Sequence, residues 1–235
     1  MTGAAGTALT ALVSGSVGAA VGQAAGGVGG LGRRLRPPVW VHVEDDPELV
    51  WLGSPPWVGA AVLLGPDVDP AVSSPPSDCR GWSAWARALG GCDADRSELL
   101  VTVGGRGGAS VVVEGVRVRT TRAEVPAGST VLRCPVGGAS MEPRRVEVGL
   151  DDFASPTAVF LDRGGQPSAP FAFAVDGGTP ERFHVVVRAR SGMHRWTADL
   201  VLLVDGRRVV RPLFDRGRVG VTAGPHGLRS RSGPV

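Results

Sequence analysis

Past residue 38 the chain alternates. Val39, Val41 and Val43 interleave with Trp40, His42 and Glu44, the period of two that sends successive side chains to opposite faces of a strand. After the acidic turn 44–48, residues 56–64 predict a second strand, while 65–78, with Pro66, Pro70, Pro75 and Pro76, reads as a linker. The best helix signal is short. Trp82, Trp85, Ala86 and Leu89 fall on one helical face, Asp78 offers a cap, and Gly90 and Gly91 stop it. Two tryptophans on that face are expected to anchor the helix on a sheet.

From Glu98 onward the strand signal is nearly continuous. Residues 99–103 run into a glycine-rich turn at 104–108, and Glu114-Gly115 reads as the turn of a hairpin made by 110–113 and 116–119. Further strands are predicted at 129–134, 145–150, 157–161 and 170–175, and Phe183, Val185, Val187 and Ala189 share one face of another. The clearest hairpin is the last, 196–204 and 207–211 around Asp205-Gly206, a type I′ signal. Short strands without a strand–helix–strand rhythm predict a mainly β protein. The expected form is an antiparallel β-sandwich of immunoglobulin-like architecture with one short helix. Its expected core includes Leu100, Val112, Val185, Trp196, Leu200 and Leu202.

The first 36 residues break the pattern. Residues 3–32 carry no formal charge, and Arg33-Arg34-Leu35-Arg36 follow directly. About 20 apolar residues cross a bilayer as a helix. Here Ser14, Gly18, Gly22, Gly26 and Gly30 recur every fourth position, which on a helix makes a smooth ridge suited to a helix–helix contact. In water the same glycines would each disfavour a helix by about 1 kcal/mol. Two readings stand: a Gly/Ala-rich helical membrane segment with a packing face, or a flexible leader. A secretory signal fits badly, because no Arg precedes the apolar stretch and no small-residue cleavage site precedes Arg33. A span with its arginines behind it places the β domain in the cytoplasm, as a single-pass cell-membrane protein. The expected organisation is 1–36 membrane segment, 37–78 N-terminal strands and Pro-rich linker, 79–213 sandwich domain, and 214–235 flexible basic tail. Residues 27–32 also spell G-x-G-x-x-G, but Pro37-Pro38 would end any helix behind it, so a dinucleotide site is not expected.

Composition matters through what is missing. The 235 residues include no Lys and no Tyr, so all 25 basic residues are Arg. That removes the phosphate-loop lysine, Schiff-base chemistry and Ser–Lys dyads. Ser140, in Gly138-Ala139-Ser140-Met141-Glu142, lacks the closing glycine of a nucleophile elbow. His184 and His194 would meet if their strands paired about residue 192, with no third metal ligand to join them. Cys79, Cys92 and Cys134 allow either one disulfide or buried thiols, and their spacing does not suit zinc. The acidic clusters at 44–48 and 151–152 lack calcium-loop spacing. No enzyme activity, metal or cofactor is expected.

The C-terminal stretch 205–235 holds seven Arg against two Asp. Arg207, Arg208, Arg211, Arg216 and Arg218 form the candidate interaction surface, open to anionic lipid or to nucleic-acid phosphates. Phe214 is the one aromatic among them, so base stacking is not indicated and nucleic acid is the lesser partner. The expected function is a membrane-tethered interaction or assembly module, self-associating through the glycine ridge and binding an unknown protein. The alternative is a soluble or peripheral regulator that touches nucleic acid through the Arg-rich tail.

Several runs carry a resemblance: 82–91 leading into Val101-Thr102-Val103, then 111–118, Arg133-Cys134, 146–151, and 195–200 leading into 204–207. Over roughly 78–215 the chain resembles a group of uncharacterised actinobacterial proteins with an N-terminal membrane segment before a β-rich domain. The resemblance implies that organisation and no activity. A GC-rich genome of that kind also accounts for the all-Arg composition.

Overall fold

The computed structural model describes residues 37–50, 58–69, 73–77, 79–136, 144–151, 156–162, 165–168, 172–175, 178–214, 220–224 and 229–232. In order these form β1 (Val39–Glu44), a single helical turn α1 (Pro47–Val50), β2 (Val58–Leu64), helix α2 (Trp82–Ala88), β3 (Cys92–Ala94), β4 (Arg96–Gly105), β5 (Val111–Ala123), β6 (Thr130–Val136) and β7 (Arg144–Gly149). Then come β8 (Ala158–Leu161), β9 (Phe173–Val175), β10 (Glu181–Arg188), β11 (Met193–Val204), β12 (Arg207–Pro212), β13 (Gly220–Ala223) and β14 (Arg229–Ser232).

One five-stranded sheet runs β1-β4-β10-β7-β8; a nine-stranded sheet runs β14-β6-β2-β3-β13-β11-β5-β9, with β12 also on β11. Alternation decides which faces meet. Leu99, Val101 and Val103 of β4 and Phe183, Val185 and Val187 of β10 bury against Val111, Val113, Trp196, Leu200 and Leu202 of the other sheet. Phe173 of β9 meets Phe183 of β10 edge to face at 5.4 Å between ring centres, so one aromatic pair bridges both sheets. A second cluster forms on the far face of β2 and β6, where Trp82 and Ala86 of helix α2 pack on Val62, Leu64 and Leu132.

The protein is mainly β, as its alternation predicts, but the sheets are mixed rather than antiparallel. β10 lies parallel to β7, β13 to β3, and β14 to β6. The reason is long-range. Between β7 and β10 the chain crosses to the other sheet as β9, and such a detour allows a return in the same direction that a tight hairpin forbids.

Several expectations are corrected by the structure. Leu100 and Val112 turn away from the main core, one residue out of phase with Leu99, Val101, Val111 and Val113. Both strands carry apolar residues on both faces, and Leu100 packs instead on the cluster around α2. Glu114-Gly115 makes no turn. β5 continues through it, and the register with β11 shifts between Val201 and Leu202, so Gly115 sits at a bulge. His184 and His194 lie in different sheets, because the chain changes sheet between β10 and β11. In 37–78 the two predicted N-terminal strands form and join the sheets, β1 pairing with β4, and β2 with β3 and β6. The tail 214–235 supplies β13 and β14, strands without strong alternation that gain their hydrogen bonds from β11, β3 and β6. Residues 38–235 accordingly form one compact unit.

The helix α2 starts at Gly81, whose φ of 71° is left-handed and suits glycine. Its N–H donates to Asp46 Oδ2 at 2.9 Å, which ties the approach to the helix to the acidic turn without capping it; Asp78 lies outside the described residues. Ser14, Gly18, Gly22, Gly26 and Gly30 also lie outside them, as does the G-x-G-x-x-G run. Among the described residues no helix is long and apolar enough to cross a membrane.

Candidate functional site

The polar chemistry converges where α2, β3, β4, β11 and β13 meet. Asp93 of β3 accepts from Ser83 Oγ of α2 at 2.9 Å and from Ser97 Oγ of β4 at 2.6 Å. Ser97 Oγ lies 2.6 Å from Thr222 Oγ1 of β13, which accepts from Trp196 Nε1 of β11 at 3.0 Å. This chain of hydroxyls ties both sheets to the helix. Burial raises the Asp93 carboxyl above its ordinary range, against the two serine hydrogen bonds that favour its charge.

Around Asp93 lie two small hollows. One, of about 40 Å³, is bordered by Arg87, Cys92, Asp93, Trp196 and Phe214; the other, of about 30 Å³, by Asp45, Ser83, Asp93, Arg96 and Glu98. Each has room for about one water molecule. A larger cleft of about 340 Å³ opens beside them, with Leu63, Cys92, Met193 and Val221 as an apolar floor and Arg87, Arg195 and Ser129 at its margin. Both arginines are exposed, and Arg87 is paired with Asp45 at 3.1 Å. The cleft reaches the lower end of small-ligand pocket volumes. Its chemistry suits an apolar body that carries an anionic group. The Cys92 thiol on its floor is buried and pushed up to about 12, by burial first and then by the Asp93 charge, so it is no nucleophile at neutral pH.

Among the described residues, several other titratable groups are buried or tied to the backbone. Asp151 accepts from Arg190 N at 2.6 Å and from Ser191 N and Oγ, each at 3.0 Å, clamping the turn before β11. His194, 2% exposed, lies 3.0 Å from Ser191 O through Nε2. Glu98, whose side chain is 8% exposed, has Arg96 Nε 2.6 Å from Oε1, yet neither carboxylate oxygen gains a hydrogen bond of good geometry. Burial raises Glu98 to about 7, against the pull of Arg96, Arg188 and Arg145. On the same face of the neighbouring strand, burial lowers His184 to about 4, with Arg145 adding to the effect. Among the described residues no group of three His, Cys, Asp or Glu could hold a metal ion.

The arginine surface does not form one patch. Arg207 and Arg211 of β12 register with Val204 and Leu200, while Arg208 registers with Leu203 on the opposite face. Arg208 is moreover tied to Glu114 Oε2 at 2.7 Å. Arg216 and Arg218 lie outside the described residues. The sequence reading passed over Asp93, Arg87 and Arg195. The one local hint was a polar residue between the apolar positions Cys92 and Ala94.

The covalent link also lies here. Cys79 and Cys134 form a disulfide that joins the approach to α2 onto β6, with Cα atoms 5.8 Å apart. Comparison with known protein families, curated proteins and solved structures finds no match to this chain.

Proposed function

We propose that this protein is a membrane-tethered β-rich module that binds a partner rather than transforming one, through the cleft beside Asp93. The observation that carries the reading is the pairing of an apolar floor, Leu63, Met193 and Val221, with the exposed Arg195. Its hydroxyls and carboxylates hold the fold, while the cleft offers shape, apolar area and one cation. In architecture the reading is an immunoglobulin-like sandwich in its two facing sheets, modified by the parallel pairings. The tether is residues 1–36, with Gly18, Gly22 and Gly26 as the self-association face and membrane lipid as the surrounding partner. The actinobacterial resemblance supports the same organisation. Splitting Arg207 and Arg211 from Arg208 weighs against nucleic acid as the partner.

Titration with 8-anilinonaphthalene-1-sulfonate, an apolar sulfonate, tests the cleft in the full chain. Saturable fluorescence lost in Arg195→Glu and kept in Arg208→Glu supports it; equal binding by both variants overturns it. Carbonate extraction tests the tether. Retention in the membrane pellet supports it, with Gly22→Ile weakening self-association alone, and release of the wild-type chain overturns it.

A further inference from the structure

We propose that the β domain is oxidised outside the cytoplasm, on the side of the membrane opposite to the one the arginines of 33–36 indicate, and that this oxidation completes the cleft. The observations are geometric. Cys79 and Cys134 are both 6% exposed and bonded to each other within the cluster around α2, together with Val62 and Leu64 of β2. Cys92 belongs to a separate cluster with Ala61 and Leu63, on the opposite face of that same strand. Of the three pairings that three cysteines permit, the fold allows one and shields the remaining thiol. A strand thus separates the oxidised pair from its only competitor.

The bond has a defined task. Helix α2 has seven residues, starts at a glycine, and has no side-chain cap hydrogen bond. Cys79 stands just before it, and Trp82 N donates to Cys79 O at 3.4 Å. The disulfide therefore fastens the end of a weak helix to β6 across 55 residues of sequence. That helix carries Ser83, which holds Asp93, and Arg87, which stands at the cleft margin. Reduction frees the start of α2 and loosens both.

Cytoplasmic thiols are kept reduced, whereas disulfides persist in extracytoplasmic compartments. The oxidant is the disulfide of a thiol oxidoreductase. One thiolate of the pair attacks it to give a mixed disulfide. The second thiolate then displaces the enzyme, so two electrons and two protons leave the cysteines and the oxidoreductase departs as a dithiol. The arginines of 33–36 favour the opposite orientation, so charge and disulfide make opposing predictions for the side on which the domain lies.

The sidedness rests on the tether proposed above; the oxidation does not. The experiment keeps them apart. Bacterial cells producing the full chain are quenched in acid, and the denatured protein is treated with a polyethylene-glycol maleimide. One added mass before reduction and three after support the inference, and Cys92→Ser then shows none before reduction. Three added masses before reduction overturn it, whatever the membrane fraction shows. Protease added to intact spheroplasts cleaves the β domain if it faces outward. A domain that is protected until lysis overturns the sidedness. In the purified chain, dithiothreitol should shorten the protease half-life and weaken the sulfonate-dye binding together. Unchanged dye binding after complete reduction overturns the link to the cleft.

Discussion

Trp82 and Trp85 show how far one side chain's surroundings outrun its spacing. Both lie on the apolar face of α2, with ring centres 5.9 Å apart. Trp82 is 1% exposed and donates Nε1–H to Pro76 O at 3.2 Å, while Trp85 is only partly buried. Trp82→Ala should therefore cost about 3–5 kcal/mol, and Trp85→Ala about 1–2 kcal/mol, in denaturant unfolding. Equal costs would mean that the helix lies on its other edge. Glycine matters in a comparable way at Gly220. A Cβ on Gly220 would run into the Trp196 indole, which sits fully inside the core. Gly220→Val should lower stability by about 1–3 kcal/mol through overpacking, read from the same unfolding midpoint.

Asp151 illustrates how one carboxylate orders a whole connection. It follows β7 and clamps the backbone between β10 and β11, the point where the chain changes sheet. Burial works to raise its pKa, but the hydrogen bonds from Arg190 and Ser191 outweigh it and hold the carboxyl below the usual range. A depressed carboxylate contributes stability above the ordinary carboxylate range, and this stability is lost as pH falls through the depressed value. Asp151→Ala should cost about 2–3 kcal/mol at neutral pH. The difference from wild type should shrink in acid; a difference independent of pH would exclude the clamp. The hairpin of β11 and β12 needs no such device. Asp205 and Gly206 both adopt positive φ, 48° and 76°, so two adjacent residues encode the turn.

Glu98 and His184, on the neighbouring strands β4 and β10, contribute opposite pH responses to the folded domain. Glu98 rises from 4.5 to about 7, so its contribution is full below about 4.5 and lost as pH climbs to about 7. His184 falls from 6.5 to about 4, so its contribution is full above about 6.5 and lost as pH drops to about 4. The two oppose each other between those limits, so the histidine offsets the dependence on Glu98 there. Glu98→Gln should be more stable than wild type above pH 7, by on the order of 3 kcal/mol. It should also expose a rising limb between about pH 4 and 6.5 from the histidine. A Glu98→Gln profile parallel to wild type would defeat this account. The disulfide acts on the same scale through the unfolded chain. Closing a separation of 55 residues stabilises by about 4 kcal/mol in the chain-entropy account, and Cys134→Ala should lose that much in denaturant unfolding without reductant.

What the sequence determined by itself was local: the period-two strands, the short helix from Trp82 to its stop at Gly90-Gly91, the Asp205-Gly206 turn, and the mainly β character. These need only neighbours along the chain. The tertiary structure decided everything that two apolar faces leave open. It chose Leu99 over Leu100 for the main core because both faces of β4 find cover, one from the facing sheet and one from the α2 cluster. It turned Gly115 into a bulge because β11 runs unbroken past it. It made strands of 220–223 and 229–232 by lending them partners. It selected Cys134 for Cys79, and it brought Asp93, Ser97 and Thr222 together across 125 residues of sequence. Such contacts depend on which surfaces remain to be covered once the sheets have met, and no window of local sequence holds that information.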